Sequence, residues 1–226
     1  WVPARHTERE SAMRLDAGCE LEFEILEPTP MLLMLRPRSG EGQWVEAERY
    51  ALQPRVPASE YADAWGNLCQ RIVARPGRLH ISTQVRVDTD DTIALAPGAP
   101  RTPVDQLPVE VIGFLLASRY AESDALADQA RDVTAGATPG YDQVEAIRAW
   151  IHRSFEYRYG VSNESTSARD TIRMRKGVCR DFAHVGIALT RALGIPARYV
   201  AGYLHELEPM DLHAWFEAYL GGRWYT

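Results

Sequence analysis

Apolar and polar positions alternate at short period over roughly the first hundred residues and at helical spacing afterwards. Leu21-Glu22-Phe23-Glu24-Ile25 has the period of a half-buried strand. Leu79, Ile81, Thr83, Val85 and Val87 alternate with His80, Ser82, Gln84 and Arg86 in the clearest strand pattern of the chain. Between them lie a short apolar run from Met31 to Leu35, closed by Pro30 and Pro37, and a further strand from Trp44 to Tyr50. A turn at Ala64-Trp65-Gly66-Asn67 leads into a strand from Asn67 to Ala74. Short strands punctuated by Pro and Gly predict a small β-sandwich or sheet. Nothing in this region has a catalytic pattern.

Residues 88–104, with Pro97, Gly98, Pro100 and Pro103, read as a linker, which sets the expected domains at 1–104 and 105–226. Helices are expected from Val109 to Ser118, from a Ser123-Asp124 cap through Asp132, and from Tyr141 to Phe155. The last of these places Val144, Ile147, Ile151 and Phe155 on one face. A further helix buries Phe182, Val185, Leu189 and Leu193, and Gly194 and Pro196 stop it. Strands from Ala197 to Tyr203 and from His213 to Leu220 follow, separated by a polar turn from Glu206 to Asp211.

Composition narrows the function without naming it. The 226 residues are 46% hydrophobic and 25% charged, ordinary for a globular chain with a sizeable core. A formal net charge of −6 argues against nucleic acid or an anionic membrane as obligatory partner. No stretch approaches the roughly 20 apolar residues needed to span a bilayer. Trp1 to Glu10 lacks the apolar core of a secretory signal, so residues 1–12 read as an appended tag or a misassigned start, and cytoplasmic residence is the expectation. Three cysteines, Cys19, Cys69 and Cys179, without metal-ligand spacing fit a reducing compartment.

Among these cysteines only Cys179 has an activating context. It falls at, or within a residue of, the start of its helix, where unpaired N–H groups and the helix dipole favour a thiolate. A thiolate is what attack on an amide carbonyl requires. Cys19 and Cys69 read as packing residues. His184, five positions after Cys179, reads as a core or hydrogen-bonding residue, and His205 as solvated. Zinc on Cys179, His205 and His213 is disfavoured, because no two of these ligands are compactly spaced. Trp215, Trp224, Tyr157 and Tyr159 read as packing or as walls of a cleft. Asp181 reads as a first-turn charge that the helix dipole favours.

Three ordered motifs carry a resemblance. They are Gly177-Val178-Cys179-Arg180-Asp181-Phe182-Ala183-His184, Ala192-Leu193-Gly194-Ile195-Pro196-Ala197-Arg198-Tyr199-Val200, and Asp211-Leu212-His213-Ala214-Trp215. Together they closely resemble the bacterial transglutaminase-like superfamily, strongly over residues 105–226. A weaker match around Asp63, Gly66 and Asn67 resembles the N-terminal region that often precedes this domain. The resemblance implies an α+β fold: a papain-like/transglutaminase-like core of helices against an antiparallel sheet, preceded by a small β-sandwich-like domain. It implies Cys179 as nucleophile and His213 as its base.

It also implies an orienting Asp about fifteen positions after the histidine, a place beyond Thr226, and so a catalytic domain and sheet that continue past the chain's last residue. Asp211 is the fallback orienter. The activity implied is thiol-dependent hydrolysis of a peptide or amide bond through a thioester, with no metal or organic cofactor and with a protein or peptide as substrate. Acyl transfer from a protein glutamine to an amine, and an inactive protein-binding domain, are the alternatives. The glutamine that precedes the cysteine in papain-type enzymes is absent from Met174 to Val178, so a second oxyanion donor is left unidentified.

Overall fold

A computed structural model of the chain describes residues 12–40, 42–208 and 211–226. The expectation for the N-terminal tag or start therefore lies outside the described residues, apart from Ala12. The chain forms two compact units that divide between Ile93 and Ala94.

The first unit is built from β1 (Ala12–Ile25), β2 (Thr29–Leu33), β3 (Gln43–Gln53), β4 (Ser59–Ala62), β5 (Leu68–Ala74) and β6 (Gly77–Asp90). They form two three-stranded antiparallel sheets, ordered β1-β6-β3 and β2-β5-β4. Alternation does what the sequence pattern predicts: Leu79, Ile81, Val85 and Val87 of β6 turn inward. Ile25, Leu33, Ile72, Ala74, Leu79 and Ile81 join the two sheets in one core. Each large aliphatic side chain so buried contributes about 1.5–3 kcal/mol.

Residues Asp63, Gly66 and Asn67 form the turn between β4 and β5. The Asp63 carboxylate accepts the N–H groups of Trp65 and Asn67, each at 2.9 Å, and the Asn67 side-chain amide at 2.8 Å. Gly66 sits at φ +78°, a backbone state that side chains with a Cβ rarely adopt. The strand expected from Asn67 begins instead at Leu68, because the turn consumes the Asn67 hydrogen-bonding groups. The strand β6 runs to Asp90, so the expected linker loses its first three residues to the sheet.

The second unit contains α1 (Val109–Ile112), α2 (Ala127–Val133), α3 (Tyr141–Ser154), β7 (Glu156–Tyr157), α4 (Ala168–Met174), β8 (Lys176–Gly177) and α5 (Cys179–Ala192). After these come β9 (Ala197–Gly202), β10 (His213–Leu220) and β11 (Arg223–Tyr225), an antiparallel sheet with β10 at its centre. The α+β expectation holds, with three local corrections. The helix expected from Val109 to Ser118 stops at Ile112 and tightens into a 3-10 turn over Gly113–Leu115. Ser123 is buried and caps nothing; it opens a separate 3-10 turn, and α2 begins at Ala127. The sequence reading also missed α4, which Ser167 caps by accepting the Asp170 N–H.

The axis of this unit is α5. Val185, Ile187, Ala188 and Leu189 pack against Ile147 and Ile151 of α3, Ala130 of α2 and Ala168 of α4. On its sheet side, Gly186 lies so close to the Phe216 ring of β10 that a Cβ there would overlap it. That contact lets helix and sheet approach closely enough to place the start of α5 beside the sheet. Arg198 of β9 pairs with Glu217 of β10 at 2.6 Å and covers the Trp224 ring at 4.1 Å, locking the three strands in register.

Candidate active site

The start of α5 is fixed by a buried carboxylate. Val178 is extended and has no side-chain acceptor, so the cap comes from within the helix: the Asp181 carboxylate accepts the Val178 N–H at 2.9 Å. The Asp181 N–H returns a bond to the Val178 carbonyl at 2.9 Å. Asp181 is 1% exposed and pairs with Arg180 at 3.1 Å. Arg180 in turn donates to the carbonyls of Asn163 (2.8 Å) and Thr166 (3.1 Å). Gly177 is required for this packing, because a Cβ there would stand 2.8 Å from an Asp181 carboxylate oxygen. Cys179 is thereby held, half-buried, as the first residue of the helix. Asp181 thus does more than place charge in the first turn.

The second wall comes from a pair of two-residue strands. β7 and β8 pair in parallel, with Glu156 opposite Lys176 and Tyr157 opposite Gly177. The Glu156 N–H donates to the Arg175 carbonyl (2.9 Å) and the Arg158 N–H to the Gly177 carbonyl (2.8 Å). Two residues beyond Gly177 stands the cysteine. The Tyr157 ring packs edge-on against Phe182 (5.9 Å) and Tyr159 (5.4 Å). The Cys179 sulfur and backbone N–H both act on its hydroxyl. Partial burial, Tyr159 and the Cys179 sulfur all raise the Tyr157 pKa, outweighing the Cys179 N–H, so the phenol stays protonated well into alkaline pH. The Tyr199 hydroxyl is also raised, by burial first and then by Cys179.

His213 opens β10, where it pairs in register with Gly202 of β9. Its ring stacks loosely on Trp215, with centroids 6.4 Å apart, on the strand face opposite Phe216. It lines a cavity of about 300 Å³ together with Tyr157, Tyr159, Leu207, Glu208, Asp211 and Leu212. One tyrosine links the two candidates: Cys179 acts on the Tyr157 hydroxyl, and Tyr157 shares a cavity wall with His213. The Asp211 carboxylate accepts the adjacent Leu212 N–H at 2.7 Å, so that bond is spent on the approach to the strand.

The other candidates fall where their contexts suggested, with one refinement. His184 is half-buried between the rings of Tyr120 (5.2 Å) and Tyr199 (5.1 Å), so it stacks where a hydrogen-bonding role was also open. Burial, with Arg180 and Arg191 nearby and Asp181 opposing, lowers its pKa to about 4, which keeps the imidazole neutral. His205 is exposed in the turn beside Glu206. Cys69 is buried, and Cys19 lies part-buried in β1. Among the described residues no group of three or more His, Cys, Asp and Glu side chains converges to hold a metal ion. No helix among them is long and apolar enough to cross a membrane. The sequence reading took Tyr157 as a packing residue or cleft wall, and the β7–β8 pairing, which sets it opposite Gly177, is what brings it beside the α5 start.

A helix that presents a cysteine from its first turn, packed on an antiparallel sheet that presents a histidine, is the fold of a papain-like thiol enzyme. Comparison with known proteins agrees. Residues 127–226 match the transglutaminase-like superfamily and residues 26–88 the bacterial transglutaminase-like N-terminal region. The crystal structure of a candidate cysteine protease from Cytophaga hutchinsonii is 36% identical, with a TM-score of 0.89 over 95% of this chain and 75% of that one. An uncharacterized protein of Mycobacterium leprae is 28% identical over 204 residues, which are 84% of this chain and 72% of that protein. One from Mycobacterium tuberculosis is 31% identical over 183 residues, 75% of this chain but only 58% of the relative's length. This chain belongs to the transglutaminase-like superfamily.

Proposed function

We propose that this protein hydrolyses a peptide or amide bond through a thioester on Cys179, with His213 as the proton carrier. The observation that supports the reading is that Cys179, at the α5 start, acts on Tyr157, whose ring shares a cavity with His213 at the β10 start. Cys179 attacks the carbonyl carbon as thiolate, the Sγ–C bond forms, and the carbonyl π pair moves to oxygen. The Cys179 N–H, free of any helical acceptor, donates to that oxyanion. His213 as imidazolium protonates the leaving amine while the C–N bond breaks. Neutral His213 then takes a proton from water, whose oxygen attacks the thioester and frees the acid and the thiol.

The chemistry uses groups of this chain and a water, and needs no metal or organic cofactor. The substrate class we assign is a protein or peptide, and the compartment a reducing cytoplasm. Hydrolysis is preferred to acyl transfer by analogy with the Cytophaga hutchinsonii relative, described as a candidate protease. The test is product analysis by mass spectrometry on a peptide-amide library, with and without a primary amine. Free acid that disappears in both Cys179→Ala and His213→Ala supports the reading. Amine incorporation without free acid overturns hydrolysis in favour of transfer.

A further inference from the structure

An acyl transfer of this kind is best served by more than one donor at the oxyanion, because charge moves there from sulfur as the bond forms. The Cys179 N–H is one donor. The glutamine that would supply another in papain-type enzymes is missing from Met174 to Val178. Tyr157 brings a hydroxyl on which both the Cys179 sulfur and the Cys179 N–H act, from a ring packed on Phe182 in the first turn of α5. It reaches that spot by construction: β7 pairs with β8 in the register that sets Tyr157 opposite Gly177, and Phe182 and Tyr159 hold its ring from two sides.

We propose that the Tyr157 O–H is the second oxyanion donor of the thioester-forming step. The inference rests on the functional reading above. Before attack the proposed thiolate carries the negative charge, and the Cys179 sulfur acts on this hydroxyl. As the Sγ–C bond forms, that charge passes to the carbonyl oxygen, and the O–H follows it by a small rotation of its side chain. The proton stays on tyrosine throughout, so no proton is gained or lost at this residue. Its raised pKa suits that role, since a donor must keep its proton at the pH where the thiolate exists. The half-exposed ring at the cavity wall leaves room for a substrate carbonyl to enter beside it.

The test compares two reactions of the same sulfur in the full chain. Acylation of Cys179 by p-nitrophenyl acetate passes through a tetrahedral oxyanion; alkylation by iodoacetamide is a displacement at carbon and has none. Tyr157→Phe keeps the ring and its packing and removes only the hydroxyl. Its burst of nitrophenolate is expected to slow by about 10²-fold, the scale of one lost oxyanion donor, while alkylation changes by less than about threefold. Equal slowing of both reactions would assign Tyr157 to positioning the thiol, and unchanged acylation would remove it from the site; either result overturns the inference. If Cys179 of the wild type shows neither a burst nor faster alkylation than free cysteine, the thiol-enzyme reading fails and the inference falls with it. A burst in the wild type that survives unaltered in Tyr157→Phe sinks the tyrosine alone.

Discussion

Each unit of this protein uses an aspartate to gather backbone N–H groups, and the two outcomes differ. Asp63 collects three donors in a partly exposed turn of the first unit. It shapes a connection between two strands and nothing more. Asp181 caps a helix from a position 1% exposed, tied to Arg180 and through it to two loop carbonyls. Because the fixed segment contains Cys179, the same hydrogen-bonding device now holds the residue proposed as nucleophile. Burial and what lies next in the chain separate scaffold from site; polarity alone does not.

The comparison breaks most sharply at the reacting groups. Cys179→Ala and His213→Ala should each lower turnover by at least about 10³-fold while leaving thermal unfolding nearly unchanged. A comparable loss from any substitution on the Asp63 turn would place chemistry in the wrong unit. Next in size is Asp181→Ala, which strands the Val178 N–H and removes the carboxylate partner of Arg180. About 3 kcal/mol of unfolding free energy should disappear in urea titration, and Cys179 reactivity should fall with it. Asp63→Ala should shift the urea midpoint less and leave Cys179 reactivity untouched.

Gly186→Val tests the approach of helix and sheet. Its side chain would collide with the Phe216 ring, costing about 2–3 kcal/mol by the same titration. The smallest effect is a pH dependence. The His184 pKa is lowered to about 4 in the folded state, against about 6.5 in the unfolded chain. Between those values the unfolded state binds the extra proton, so stability is lost as pH falls from about 6.5 to about 4. His184 faces Arg180, Arg191 and Asp181, and stacks between Tyr120 and Tyr199. His184→Phe, which preserves the stack, should flatten that slope by about 2 kcal/mol after discounting for partial exposure.

The sandwich was legible because each strand advertises itself locally: the alternation along Leu79 to Val87 needs no partner to be read. The position of Cys179 was legible for a similar reason, since the apolar spacing after it and Gly194 beyond bound one helix. Other features depend on distant contacts. The strands β7 and β8 are two residues each and exist only as a pair, so no period marks them, and Tyr157 could be read only as packing or a wall. The missed α4 did leave a signal, Ser167 three residues before Asp170, in the pattern of a helix cap. The relation of Cys179 to His213, 34 positions apart, came from the motifs and not from spacing.

The most direct test is the alkylation rate of Cys179 by iodoacetamide at pH 6, in the wild type and in His213→Ala. If the two residues act as the proposed pair, Cys179 should react at least about tenfold faster than free cysteine, and the variant should lose most of that excess. Equal rates for wild type, variant and free cysteine would contradict the pairing on which the proposed hydrolysis depends.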